Sequence, residues 1–359
     1  PDQSRHGVEG DRGDEHRARN RQHVRMRERR GRAEREHARD AQDAHDEVHR
    51  RHVDLALMLG VRVPDAHARE QAELDALARE LIDTGYLHNH ARMWFAGWWI
   101  HIERLPWQLG ADFFLRHLLD GDPASNTLSW RWVAGLQTPG KTYLPRRSNL
   151  EKYLPPDVLK THYQGLELLE NPQALILPAE ERPTITRPTL PSTPSMREGK
   201  IGIWIHEEDL SIEQSPLASL HPKSIIATRD TATWKRLCYP KIKTCWLETA
   251  IDDGAKRASN AFGIKVEGSG DASVTEALLR WAAEHQLQQI VAMRPEIGPL
   301  HDQLGHLQAT LSNAGIELIF FDRPEDLALR PLATGGFFGF WEKMQKSLKT
   351  NGPKRDKSA

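Results

Sequence analysis

Between Asn171 and Lys200 the chain reads "NPQALILPAEERPTITRPTLPSTPSMREGK", with prolines at 172, 178, 183, 188, 191 and 194. Each proline fixes φ and removes a backbone donor, so neither a helix interior nor a central strand can pass through this stretch. One continuous core therefore cannot span it. The chain must build one body before residue 171 and another after 199, with 171–199 as a linker or a strap laid over the surface. A length of 359 residues allows this, since compact domains run to about 100–200 residues each.

The two flanks differ in texture. Residues 1 to about 53 are almost all Arg, His, Asp, Glu, Gly and Ala, with no aromatic residue and no apolar period. Such a segment cannot bury enough surface to offset its ordering entropy, and 1–70 is expected to be a disordered charged segment. Its histidines are scattered among arginines without i, i+4 pairing, so no metal site is expected there. The run also reads like a GC-rich gene translated out of frame, and the chain lacks an initiating Met.

From residue 71 to about 170 the pattern is helical. Leu74, Leu77, Leu81 and Ile82 form a stripe closed by Thr84-Gly85. A second helix is predicted from about His88 to Glu103. A third follows Pro106 through Leu109, Phe113, Phe114 and Leu118, with Gly121 and Pro123 as its stop.

Over 200–330 short apolar runs, "IGIWIH", "SIIAT", "IKVE", "QQIVAM" and "IELIFFD", alternate with helical patterns at about 249–262, 273–286 and 299–314. That order implies a parallel sheet in an α/β layer. No glycine-rich phosphate loop follows any strand. A C-terminal helix and tail occupy 331–359. Glu207, Glu208 and Asp209 are read as a solvated loop at a strand end rather than a metal site.

A net charge of −1 gives no global reason to bind a polyanion, so any nucleic-acid contact must come from a local basic patch. Cys238 and Cys245 are too few for a four-thiolate zinc or iron–sulfur site, and reduced thiols are expected. No apolar run reaches the roughly 20 residues that a spanning helix needs. A cytoplasmic monomer without a membrane partner is expected.

Chemistry concentrates in the middle helices. Asn89, Arg92 and Met93 share one face of a helix otherwise rich in Trp94, Phe95, Trp98 and Trp99. A guanidinium on so apolar a helix needs a partner, and Asp120 or Asp122 at the end of the next helix is the natural one. A structural ion pair between two helices is the simpler reading, and tryptophans are more often core than relays.

The order of blocks adds a second reading. "GYLHNHARM", then "LPW", then "DGDPASN", then "WRW" resembles the FAD-binding helical domain of the photolyase and cryptochrome family, clearly from about Asp75 to about Tyr143. The resemblance implies that Asp120 and Asp122 flank the isoalloxazine and ribose side of FAD, that Arg92 pairs with Asp120, and that Asn126 faces flavin N5. It implies an electron path through Trp130 and then Trp107. It also implies that Asn89, Met93 and Trp132 line a pocket for a flipped-out pyrimidine dimer. The sequence departs from the family pattern at His90, at "NTLSW" and at "WRW", and the family's phosphate-binding residues and third tryptophan belong before residue 71, where this chain has no tryptophan. "IGIWIHEEDLSIEQSPL" resembles the opening of the family's antenna domain, with Glu207 and Ser211 in place of arginines.

The expected architecture is thus α + α/β multidomain: a partial all-helical FAD-binding domain of photolyase type followed by a Rossmann-like parallel-sheet α/β domain. The expected activity is light-driven electron transfer from reduced FAD to pyrimidine dimers in damaged DNA. Arg131, Lys141, Arg146 and Arg147 are the candidate phosphate contacts. A cryptochrome-like photoreceptor and an inactive interaction module are the alternatives.

Overall fold

The computed structural model describes residues 67–137, 141–153, 169–178, 191, 194–270 and 272–351. Of the expected disordered segment 1–70, residues 1–66 lie outside these residues, as does the middle of the proline-rich strap, while 67–70 are corrected to the start of a helix. The chain divides into two units, Pro1–Asp75 and Ala76–Ala359. The first is described only from His67, where helix α1 (His67–Thr84) begins.

In the second unit α1 ends on Gly85, whose φ of +69° and amide bond to the Leu81 carbonyl make the expected C-cap. Leu81 and Ala78 are buried, but Ile82 is 40% exposed, a correction to the expected stripe. At 100° per residue it lies off the face that Ala78 and Leu81 share. Helix α2 is Asn89–Gly97, and the predicted continuation to Glu103 is instead a π-turn over Trp98–Ile102. Helix α3 is Trp107–His117.

Pro123 does not merely stop a helix. It opens α4 (Pro123–Val133), with Asp122 as N-cap and the proline at the first position, where a missing N–H costs nothing. Helix α5 is Arg147–Tyr153. The described start of the strap is irregular, and its Leu175 N–H donates to His101 Nδ1 at 3.1 Å.

All five expected strands form: β1 Ile201–Ile205, β2 Ser224–Ala227, β3 Val266–Gly268, β4 Gln289–Met293 and β5 Glu317–Phe321. Between and after them lie α6 Thr231–Arg236, α7 Lys241–Phe262, α8 Val274–His285, α9 Pro299–Asn313, α10 Pro324–Leu329 and α11 Phe337–Asn351. The strands pair in parallel in the order β3-β2-β1-β4-β5. One face buries Trp204, Leu278, Trp281, Leu304 and Leu311, the other Ile203, Ile205, Trp234, Ile251 and Ala258. The strands therefore read as continuous apolar runs, as two-sided cover requires. Helix α7 starts eight residues before the expected position, because its first turns, "KIKTCWLE", are polar and half-exposed rather than periodic.

The strand order reverses between β1 and β4, and the loop after β4 and the first turn of α7 meet the helical half. A Cβ placed on Gly298 would lie 3.2 Å from Pro123 Cγ, and Lys243 Nζ donates to the Leu115 carbonyl at 2.5 Å. The loop carrying Asp120 and Asp122 is thus held against the carboxyl edge of the sheet.

Candidate flavin site

Asn89, Arg92, Met93 and Ala96 recur at i, i+3, i+4 and i+7, so α2 turns them to one side. Helix α4 does the same with Ser125, Asn126, Ser129, Trp130 and Val133. Together with Phe114, Leu118, Asp120, Asp122 and Trp132, these two faces enclose a cavity of about 250 Å³.

Each polar group is positioned by a local cause. Arg92 donates through Nε to the Leu87 carbonyl at 2.8 Å and through one terminal nitrogen to both oxygens of Asp120 at 3.0 Å. The expected partner is therefore Asp120. Asp122 accepts the Ser125 N–H at 2.6 Å, which closes the first turn of α4. Asn126 donates its amide nitrogen to the Ala111 carbonyl at 2.7 Å, so what it can offer to the cavity is its carbonyl oxygen.

Trp130 is the wall of the site. Gly110 lets its ring approach α3, since a Cβ there would sit 2.1 Å from the indole. Phe114 and Trp99 meet that ring edge-on at 5.1 and 6.3 Å. The Trp130 Nε1–H is buried and has no hydrogen-bond partner. Among the described residues this buried donor stays unsatisfied, a cost the fold carries beside the cavity.

Of the nine candidate residues, eight line this cavity: Asn89, Arg92, Met93, Asp120, Asp122, Asn126, Trp130 and Trp132. Trp107 does not. It is buried one turn before Gly110, with the Arg131 guanidinium 5.7 Å over its ring. Trp132 stands half-exposed at the rim, 5.5 Å from Tyr143.

Of the candidate phosphate contacts, Lys141 and Arg146 are exposed, while Arg147 is paired with Glu151 at 2.8 Å and Glu170 at 2.7 Å. Sequence reasoning missed Trp99, although the doublet Trp98-Trp99 was visible, and the Ser125 and Ser129 hydroxyls, which share the period of Asn126.

It also missed a buried set behind the acidic loop. Lys243 is buried, and its pKa is lowered by desolvation to about 8 despite the pull of Glu207 and Asp120. Glu207 is raised by desolvation to about 7 while Trp234 Nε1–H donates to it at 2.7 Å. Asp209 is held by Arg323 at 2.8 Å. The expectation of a solvated loop over 207–209 is corrected to this extent: only Glu208 is exposed. Burial, then Asp122 and Glu296, raise the Glu208 carboxyl. Both cysteines are free and exposed.

The lining suits a flat, partly polar ring system. Met93, Ala96, Phe114, Leu118 and Val133 offer apolar contact, and Asn126, Ser125 and Ser129 offer the polar edge. About 250 Å³ is less than the roughly 300–1,000 Å³ typical of pockets for whole ligands. With two carboxylates and one guanidinium in its lining, the cavity fits the isoalloxazine of FAD and not its diphosphate.

Residues 73–153 match the model of the FAD binding domain of DNA photolyase. This defines the helical segment as part of a flavin-binding domain. Over that segment the chain is similar to DNA photolyases. It is 45% identical over 65 residues to a deoxyribodipyrimidine photo-lyase of Streptomyces griseus, covering 18% of this chain and 14% of the relative. The photo-lyase of Escherichia coli is 36% identical over 70 residues, or 20% of this chain and 15% of the relative. The chain thus spans about one seventh of the length of such relatives. No solved structure matches it. No described helix is long and apolar enough to cross a membrane.

Proposed function

We propose that the helical segment holds the ring of FAD and that the protein is a photolyase acting on pyrimidine dimers in DNA. The observation that carries this is the meeting of Arg92, Asp120, Asn126 and Trp130 around one cavity. Bound there, reduced FAD supplies the light-excited electron that splits the dimer.

The residues supply the rest. Arg92 and Asp120 would neutralise one another beside the ring, leaving Asp122 as the unbalanced charge of the lining. Asn126 presents a neutral acceptor, which receives a proton-bearing ring nitrogen without the repulsion a carboxylate would bring to an anionic ring. Trp130 passes an electron inward. Trp107 is the next carrier on the family pattern, and Trp99 touches Trp130 from the other side. Asn89, Met93 and Trp132 give the rim a polar edge and an aromatic face for an extruded base pair. The α/β half is a Rossmann-like companion, supported by its strand order.

The chain should take up FAD. Trp130→Phe should slow photoreduction at least tenfold while leaving repair by chemically pre-reduced flavin intact, and equal loss of both overturns the role given to Trp130.

A cryptochrome-like receptor is the second reading, favoured by one observation: His90 stacks on Tyr153 at 4.3 Å and on His88 at 5.4 Å instead of standing free toward a DNA strand. A protein that photoreduces but repairs no dimer supports it. A chain that takes up no flavin supports an interaction module instead.

A further inference from the structure

Helix α11 carries "FFGFWEKMQKSLKTN". Phe337, Trp341, Met344 and Leu348 recur at i, i+4, i+7 and i+11, one stripe of a helix. The fold leaves most of that stripe in water: Phe337 is 64% exposed, Trp341 43% and Leu348 61%, and Phe338 beside it is 80% exposed. The rings are already assembled, with Phe337 stacked on Trp341 at 6.0 Å and edge-on to Phe338 at 5.7 Å. By helical spacing Lys343 and Lys346 fall away from the stripe, and both are exposed. From Phe337 to Ala359 six basic residues face two acidic ones, in a chain whose total is −1.

We propose that α11 lies in the headgroup layer of an anionic lipid surface. Such a layer accepts both halves of the helix at once: rings and aliphatic groups at the acyl boundary, ammonium groups among the phosphates. Nucleic acid would engage the lysines and leave the stripe wet, and Met344 and Leu348 have no ring for a base to stack on. A second copy would bring two cationic helices together. Fifteen residues are too short to span a bilayer, so the helix lies along it. The expectation of no membrane partner rested on spanning length alone and does not bear on this geometry. Nor does the inference depend on the flavin reading.

The test is co-flotation of the full chain with phosphatidylcholine vesicles containing about a third phosphatidylglycerol, beside pure phosphatidylcholine vesicles. The protein should float with the anionic vesicles alone and be released as salt rises. Trp341→Ser and Leu348→Ser should each weaken binding about tenfold, since each removes a buried apolar side chain. Far-UV circular dichroism and melting temperature should stay unchanged, because both side chains are exposed in the free protein. Absence of wild-type flotation, equal flotation on neutral vesicles, or variants that float as well as wild type overturns the proposal. So does single-stranded DNA binding, or dimerisation in sedimentation, that Trp341→Ser abolishes while vesicles bind nothing.

Discussion

Asn126 does two jobs with one amide: its nitrogen holds the Ala111 carbonyl of α3 and its oxygen is left for the cavity. Asn126→Asp removes the donor and sets a carboxylate against that carbonyl. It should cost about 1–3 kcal/mol of stability, read from chemical denaturation, and should weaken flavin uptake in titration as well. Loss of flavin affinity without loss of stability would show that the Ala111 bond does not matter. The residue type was legible because "DGDPASN" places Asn126 one turn beyond the cap that Asp122 makes. The bond to Ala111 was not legible, since a carbonyl fifteen residues away leaves no mark in the sequence. Trp99 was hidden differently: its identity was plain, but its approach to Trp130 depends on the spacing between helices.

The π-turn Trp98–Ile102 matters for what it turns inward. It buries His101, whose Nε2 meets the Val133 carbonyl at 3.1 Å while Nδ1 accepts from Leu175 of the strap. Only the neutral ring can both donate and accept in this way, and burial lowers the His101 pKa from its ordinary 6.5. A depressed histidine contributes stability above its unfolded pKa and loses it as pH falls through the folded one. The protection factor of the Leu175 amide, taken against its intrinsic exchange rate at each pH, should therefore fall on acidification below about pH 6.5, further than at neighbouring amides. In His101→Phe that pH step should vanish. Helix type was legible from the apolar run, but the extra residue per turn was not, because a π-turn keeps the same composition. Strands fared better, since five β-branched or aromatic runs bounded by polar residues leave little else to form. Helix α4 was missed because Pro123 is equally a stop for one helix and a start for the next.

Across the whole molecule, the two halves meet through groups whose ionisation is displaced. Glu207 holds its proton to about pH 7 in the fold, whereas an ordinary glutamate ionises near 4.5. Its contribution is whole below 4.5 and is lost as pH rises to 7, about 3 kcal/mol for a shift of this size. Lys243, lowered to about 8, stays charged throughout that window and leaves the slope unaltered. Glu207→Gln can still accept from Trp234, so it should flatten the fall in stability between pH 5 and 7.5, measured by urea unfolding. An unchanged slope would assign it to another group. None of this was legible, for Lys243 and Leu115 are far apart in the chain. The prolines suggested a division, whereas both of their flanks lie within one unit, Ala76–Ala359. That packing has a price for the sheet. The crevice where an open parallel sheet reverses its order is where such folds usually receive a nucleotide, and here Pro123 already leans on Gly298 at its mouth. Adenylate or nicotinamide probes should find that entrance plugged, which leaves the α/β layer as a buttress for its neighbour's acidic loop rather than a receptor of its own.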